Sequence, residues 1–202
     1  MKPALPDHVG DPATEGSVWN LPNALTVVRL LLVPVFGWLL LRDNGDDTAS
    51  RVAAAAVFVV AALTDLADGA IARSHNMVTT FGKIADPIAD KALTGMALIG
   101  LSYLGELPWW ITIVILAREI GVTVLRFWVI RHGVIPASRG GKAKTLLQNI
   151  AILGYVLPFT GWLHTVAEWL MYAAVVVTIV TGLDYVARAV SLRRHALSGQ
   201  AN

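Results

Sequence analysis

Cysteine is absent from the 202 residues, which excludes a disulfide framework and any thiolate-held metal and leaves the redox compartment open. Charge is scarce: 15% of residues are Asp, Glu, Lys or Arg against 55% hydrophobic, with a mean hydropathy of +0.61. An ordinary soluble domain carries more charge and shorter apolar runs, so membrane insertion is the first reading. A net charge of +2 with an isoelectric point near 9.1 is only mildly basic, and no nucleic-acid partner is expected. The start of the chain lacks the basic-then-apolar order of a cleaved signal peptide: residues 1–16 hold Asp7, Asp11 and Glu15 among three prolines, and they are read as part of the mature protein. No internal repeat is evident.

What the chain has instead is apolar length. A spanning helix needs about 20 apolar residues, and six stretches approach that: Ala24–Leu41, Val52–Ala72, Ile84–Leu104, Trp109–Ile130, Leu146–Trp162 and Val166–Ala189. Turn-like or charged pieces separate them, among them Asp43–Thr48, Gly105–Pro108 and His132–Lys144 with its Gly140-Gly141 pair. The expectation is an all-α integral membrane protein with six transmembrane helices. It would form one domain over 17–190, flanked by flexible tails at 1–16 and 191–202. Lys and Arg favour one side: Arg73, Lys83, the segment Arg131–Lys144, and Arg188, Arg193 and Arg194, against Arg42 and Arg51 on the other. That side is expected to be cytoplasmic, with both termini there. Trp109, Trp110, Trp162 and Trp169 fall at the opposite ends of their helices and read as interfacial anchors. Histidines 8, 75, 132, 164 and 195 are isolated and show no metal-ligand spacing.

The segment that carries chemistry runs Thr64-Asp65-Leu66-Ala67-Asp68-Gly69-Ala70-Ile71-Ala72-Arg73, followed by Gly82-Lys83-Ile84-Ala85-Asp86-Pro87-Ile88-Ala89-Asp90-Lys91. Asp65 and Asp68 share a face of one helix, and Asp86 and Asp90 share a face of the next, with Gly82 one turn earlier. A short basic connection makes these helices antiparallel, so the carboxylate pairs meet near the cytoplasmic edge. An Asp at a helix centre is disfavoured by roughly 2.5–3.5 kcal/mol on insertion scales, and four together repel unless cations intervene. Hard divalent ions suit an all-oxygen site, and two can bridge a pyrophosphate. The bland alternative pairs Asp65 or Asp68 with Arg73 or Lys91 as structural ion pairs. Gly69 and Gly82 would let a bulky polar ligand approach the backbone, or would serve close helix packing.

These residues spell D-x2-D-G-x2-A-R-x8-G-x3-D-x3-D over positions 65–90, without departure the signature of the CDP-alcohol phosphotransferase family, which the chain therefore resembles. The resemblance implies a homodimeric six-helix enzyme using divalent cations, Mg²⁺ or Mn²⁺, two per active site. A second alcohol attacks the β-phosphorus of a CDP-alcohol and displaces CMP. It further implies that Asp65, Asp68, Asp86 and Asp90 ligate metal and that Asp90 is also the general base. Gly69, Ala72, Arg73 and Gly82, with Asp65, would line the cytidine diphosphate pocket.

Asn20–Arg29, Asp86–Lys91, Ala117–Ile120 with Leu125-Arg126, and Gly141–Thr145 with Gln148 resemble the bacterial branch of that family that joins CDP-diacylglycerol to sn-glycerol 3-phosphate. The implied site is the cytoplasmic face of the inner membrane, among membrane lipids. A phosphorylated acceptor needs cations beside the metals. Arg118 and Arg126 lie inside a predicted span, where cations are costly and usually functional, with a structural ion pair as their alternative role, and they are separated by about 80° around the helix. Glu119 falls nearly in line with Arg126 and can orient an arginine. Arg139, Lys142 and Lys144 are the other candidates for the acceptor phosphate, with topology and anionic-lipid contact as their alternative role. Asn23, Thr26 and Arg29 spread over about a third of a helix circumference and reach either the nucleotide or a packing partner. Two other functions stay open: an inositol phosphate acceptor at the same metals, and a cation transporter. Transporter sites usually lie at the midplane between repeats, unlike this cluster. A prenyltransferase is disfavoured because Thr64 precedes Asp65 where Asn is usual.

Overall fold

The computed structural model describes residues 21–74, 80–129 and 139–198. The expected N-terminal tail and the segments 75–79, 130–138 and 199–202 lie outside the described residues. Six α-helices and no strand occur among those described: α1 Leu21–Leu41, α2 Thr48–Ser74, α3 Thr80–Tyr103, α4 Trp109–Val129, α5 Arg139–Val156 and α6 Trp162–Ser198. α1 lies along α2 and α3, α6 lies along α5 and α4, and contacts of α5 with α2 and α3 join the two groups.

Local chemistry sets the ends. A single 3-10 turn, Arg42–Gly45, follows α1 and bends through left-handed backbone at Asp43, Asn44 and Gly45. Asp and Asn tolerate that conformation better than most residues, and glycine adopts it freely. Asp47 then caps α2: its carboxylate accepts from the Ser50 amide at 3.1 Å, the Ala49 amide at 3.3 Å and the Ser50 hydroxyl at 2.5 Å. These bonds, the Ser50 hydroxyl first, hold its pKa below the ordinary 3.8. α5 departs from the expected Leu146–Trp162: it starts seven residues earlier, so Arg139–Lys144 form its first turns rather than a connecting loop. Gly140-Gly141 reads locally as a turn signal, yet a helix start tolerates glycine. α6 likewise continues past residue 189 to Ser198.

The core is apolar and interhelical. Phe36 and Leu40 of α1, Phe58 of α2, Leu98 and Leu101 of α3, Ile111 and Ile115 of α4, Ile152 of α5 and Met171 of α6 are all nearly inaccessible. Outward faces are apolar too: Leu31, Leu63, Ile88, Ile113, Leu146 and Leu183 are each more than half exposed, the inverse of a water-soluble surface. By length and composition, Asn23–Gly45, Thr48–Asp65 and Trp162–Ser191 qualify as membrane spans among the described residues. α3, α4 and α5 fall short because they carry the charged residues of the site. Trp109, Trp110, Trp162 and Trp169 are all at least half exposed at or near the starts of α4 and α6.

One ion pair fixes which helix ends lie together. Arg51, near the start of α2, donates to both Glu106 oxygens in the α3–α4 turn at 2.5 and 2.7 Å. It also donates to the carbonyls of Val156 at 2.8 Å and Tyr155 at 2.6 Å at the end of α5. The start of α2, the α3–α4 turn and the end of α5 therefore share one end of the bundle. Where α5 meets α6, the spacing is set by Gly154: a Cβ there would sit 2.7 Å from the Ala167 Cβ and 3.6 Å from its Cα. We expect Gly154→Val to push the two helices apart and cost about 1–3 kcal/mol, the usual penalty of overpacking. Thermal unfolding in detergent checks this, and an unchanged Tm would show that the crossing is loose.

Candidate active site at the charged end of the bundle

The opposite end from Arg51 collects the charges. Asp65, late in α2, receives Arg29 of α1, whose Nη1 donates to Asp65 Oδ1 at 2.6 Å. Arg29 is fully buried, and Asn23 and Thr26 on the same helix are buried with it; all three have interactions inside the protein. This partner of Asp65 comes from 36 residues away, and the Arg73 side chain of the alternative structural pairing lies outside the described residues. Lys91 turns instead to Glu119.

Asp90, Lys91 and Thr94 of α3, Leu116, Glu119 and Ile120 of α4, and Lys144, Thr145 and Gln148 of α5 line a cleft of about 90 Å³. At its centre Glu119 gathers three cations from three helices. Lys91 Nζ donates to Oε2 at 3.3 Å, Arg118 Nη1 donates to Oε1 at 3.2 Å, and Lys144 Nζ donates to Oε1 as well. The Glu119 side chain is 16% exposed and that of Lys144 only 4%, so these charges interact with little screening from water. Asp90 sits among them and feels Asp65 and Glu119 as like charges and Lys91 and Lys144 as opposite ones.

Arg118 is placed differently from the sequence expectation. It is not among the residues lining the cleft and reaches it only through Glu119. Its Nη2 donates to Thr181 Oγ1 of α6 at 3.1 Å, and its side chain lies over Gly182, where a Cβ would meet Arg118 Cγ at 3.1 Å. The remaining candidates fall on the expected elements: Asp68, Gly69, Ala72 and Arg73 on α2, Gly82 and Asp86 on α3, Arg126 on α4, Arg139 and Lys142 on α5. Their side chains lie outside the described residues.

Whether a divalent cation fits rests on the donors described. Asp65 and Asp90 come from different helices, offer only oxygen, and repel one another, a repulsion that a hard cation between carboxylates relieves. No group of three metal-ligating side chains occurs among the described residues, which do not include the carboxylates of Asp68 and Asp86. Sequence reasoning placed Glu119 as an orienting residue for an arginine, but its partners Lys91 and Lys144 lie 28 and 25 residues away on other helices. No local spacing signals them. Thr181 and Gly182 gave no sequence signal beyond that of an apolar helix.

Residues 19–180 match the model of the CDP-alcohol phosphatidyltransferase family. The chain belongs to that family. A protein of Mycobacterium tuberculosis named a probable phosphatidylglycerophosphate synthase is 55% identical over 182 residues, covering 90% of this chain and 87% of its own. Bacillus subtilis has a CDP-diacylglycerol–glycerol-3-phosphate 3-phosphatidyltransferase that is 39% identical over 181 residues, covering 83% of this chain and 94% of the relative. The enzyme of the same name from Rickettsia felis is 40% identical over 174 residues, covering 82% and 93%.

Removing the carboxylate at the centre of the cleft leaves three part-buried cations facing each other. Glu119→Ala is expected to cost about 3–5 kcal/mol, as for other buried charges stripped of a partner, with a smaller loss for Glu119→Gln. Unfolding in detergent measures it; an unchanged Tm in the alanine variant would mean that these ion pairs do not hold the bundle together.

Proposed function

We propose that the protein transfers the phosphatidyl group of CDP-diacylglycerol to sn-glycerol 3-phosphate, giving phosphatidylglycerophosphate and CMP in phospholipid biosynthesis. The single observation that carries this reading is the cleft in which buried Lys144 and half-buried Lys91 adjoin Asp90. An acceptor bearing its own phosphate needs cations next to a carboxylate able to take a hydroxyl proton. The names of the relatives at 55% and 39% identity agree with that acceptor.

In this reading Asp65, Asp68, Asp86 and Asp90 hold two Mg²⁺ or Mn²⁺ ions, which when bound neutralise the charge of the pyrophosphate. The protein's own residues do the rest. Arg29 holds one oxygen of Asp65, while Asn23, Thr26, Gly69, Ala72, Arg73 and Gly82 form the nucleotide side. Lys144 and Lys91, with Arg126, Arg139 and Lys142, receive the acceptor phosphate, and Arg118 supports them through Glu119. Asp90 takes the proton of the primary hydroxyl as its oxygen bonds to the β-phosphorus, and the bond from that phosphorus to the CMP oxygen breaks. A carboxylate beside cations is a weak base, so positioning rather than basicity carries the step.

The surroundings belong to the same reading. Apolar residues exposed on all six helices support six spans, including the three helices whose charges lower their hydropathy. The Arg51 clasp and the tryptophans mark one end, while Arg73, Lys83, Lys142, Lys144, Arg188, Arg193 and Arg194 lie toward the other. By the positive-inside rule the site faces the cytoplasm, with both termini there, in the inner membrane. A homodimer is the proposed assembly.

Purified protein is expected to release CMP from CDP-diacylglycerol only when glycerol 3-phosphate and Mg²⁺ or Mn²⁺ are present, with EDTA abolishing release. Turnover with inositol phosphate but not glycerol 3-phosphate would reject the acceptor. Ion uptake by proteoliposomes without phosphatidyl transfer would favour a transporter. Asp90→Asn should lower kcat by about 10²–10⁴-fold, the range for a lost general base, while CDP-diacylglycerol binding changes little. Near-normal turnover would remove Asp90 from that role.

A further inference from the structure

Gln148 lies one helical turn beyond Lys144 on α5, lines the same cleft as Asp90, and is 2% exposed. Its Oε1 is buried and has no hydrogen-bond partner among the described residues. A buried acceptor left unpaired is costly and rare, and in a binding cleft the missing donor is naturally a ligand's. Of the acceptors lining the cleft, Asp90 is taken up by the primary hydroxyl in the reading above. Glu119 is spent on Lys91, Arg118 and Lys144, and the Thr145 hydroxyl donates back to the Gly141 carbonyl at 3.1 Å.

Glycerol 3-phosphate presents three polar groups. In the reading above, on which this inference rests, its phosphate meets the lysines and its primary hydroxyl meets Asp90. One donor remains, the secondary hydroxyl. We propose that Gln148 is a specificity-determining residue whose side-chain oxygen accepts a hydrogen bond from the acceptor's secondary hydroxyl. It takes no part in the bond exchange at phosphorus. Its contribution is selection: a buried oxygen built to receive a hydroxyl disfavours an analogue that leaves it unpaired.

The experiment compares glycerol 3-phosphate with propane-1,3-diol monophosphate, which keeps the phosphate and a primary hydroxyl but lacks the secondary one. Wild-type protein should prefer glycerol 3-phosphate by about a hundredfold in kcat/KM, between the discrimination of an apolar pocket and that of a fully hydrogen-bonding site. In Gln148→Leu the ratio should fall to within a few-fold of unity, mainly through loss of activity with glycerol 3-phosphate, while the KM for CDP-diacylglycerol stays the same. Gln148→Met is the second variant should the leucine protein fail to fold, with the same ratio expected. An equal loss on both acceptors, or a wild-type protein that does not distinguish them, overturns the assignment of Gln148. A wild-type protein inactive with both overturns the underlying choice of acceptor instead.

Discussion

A charge placed inside an apolar helix bundle must find its counter-charge within the bundle, because neither lipid nor core supplies one. Glu119 satisfies that requirement for Lys91, Arg118 and Lys144 together, and much of the charged end is arranged around it. Each cation comes from, or is seated against, a different helix: Lys91 from α3, Lys144 from α5, and Arg118 from α4 with its outer face on Thr181 of α6. The same contacts that close the bundle also place two ammonium groups beside Asp90. In the proposed reading, stability and substrate recognition are drawn from one set of ion pairs.

The other end of the bundle obeys the same rule by different means. Arg51 is matched by Glu106 and by two carbonyls at the end of α5, so its donors are satisfied without any open cleft. That end is a closed clasp. At the site end Lys91, Arg118 and Lys144 converge on Glu119 with Asp90 beside them, and Gln148 Oε1 lacks a partner among the described residues. In the proposed reading a ligand supplies what is missing, and that separates the binding end from the structural one.

What the sequence makes legible follows from the range over which each signal acts. Six apolar runs and the 65–90 signature are local patterns, and they suffice to place the helices and the two Asp pairs on α2 and α3. The first turns of α5 were hidden because Gly140-Gly141 carries the local signal of a turn, while the register that continues the helix comes from packing. Arg29 was legible as a polar residue on one face of α1, but its pairing with Asp65 across 36 residues was not. Arg118 was legible as an intramembrane cation, and its spacing from Arg126 suggested one shared cavity; only the position of Thr181 and Gly182 turns it toward α6. Long-range pairing of charges leaves no periodicity to read.

The position of the acceptor's phosphate decides between this mechanism and its alternatives. An experimental structure of the protein with glycerol 3-phosphate and Mn²⁺ tests this most directly. Phosphate density between α3, α4 and α5 against Lys144, with a hydroxyl turned to Asp90, is the expected result. Phosphate bound elsewhere, for example beside Arg29 on α1 with the cleft left empty, would contradict it.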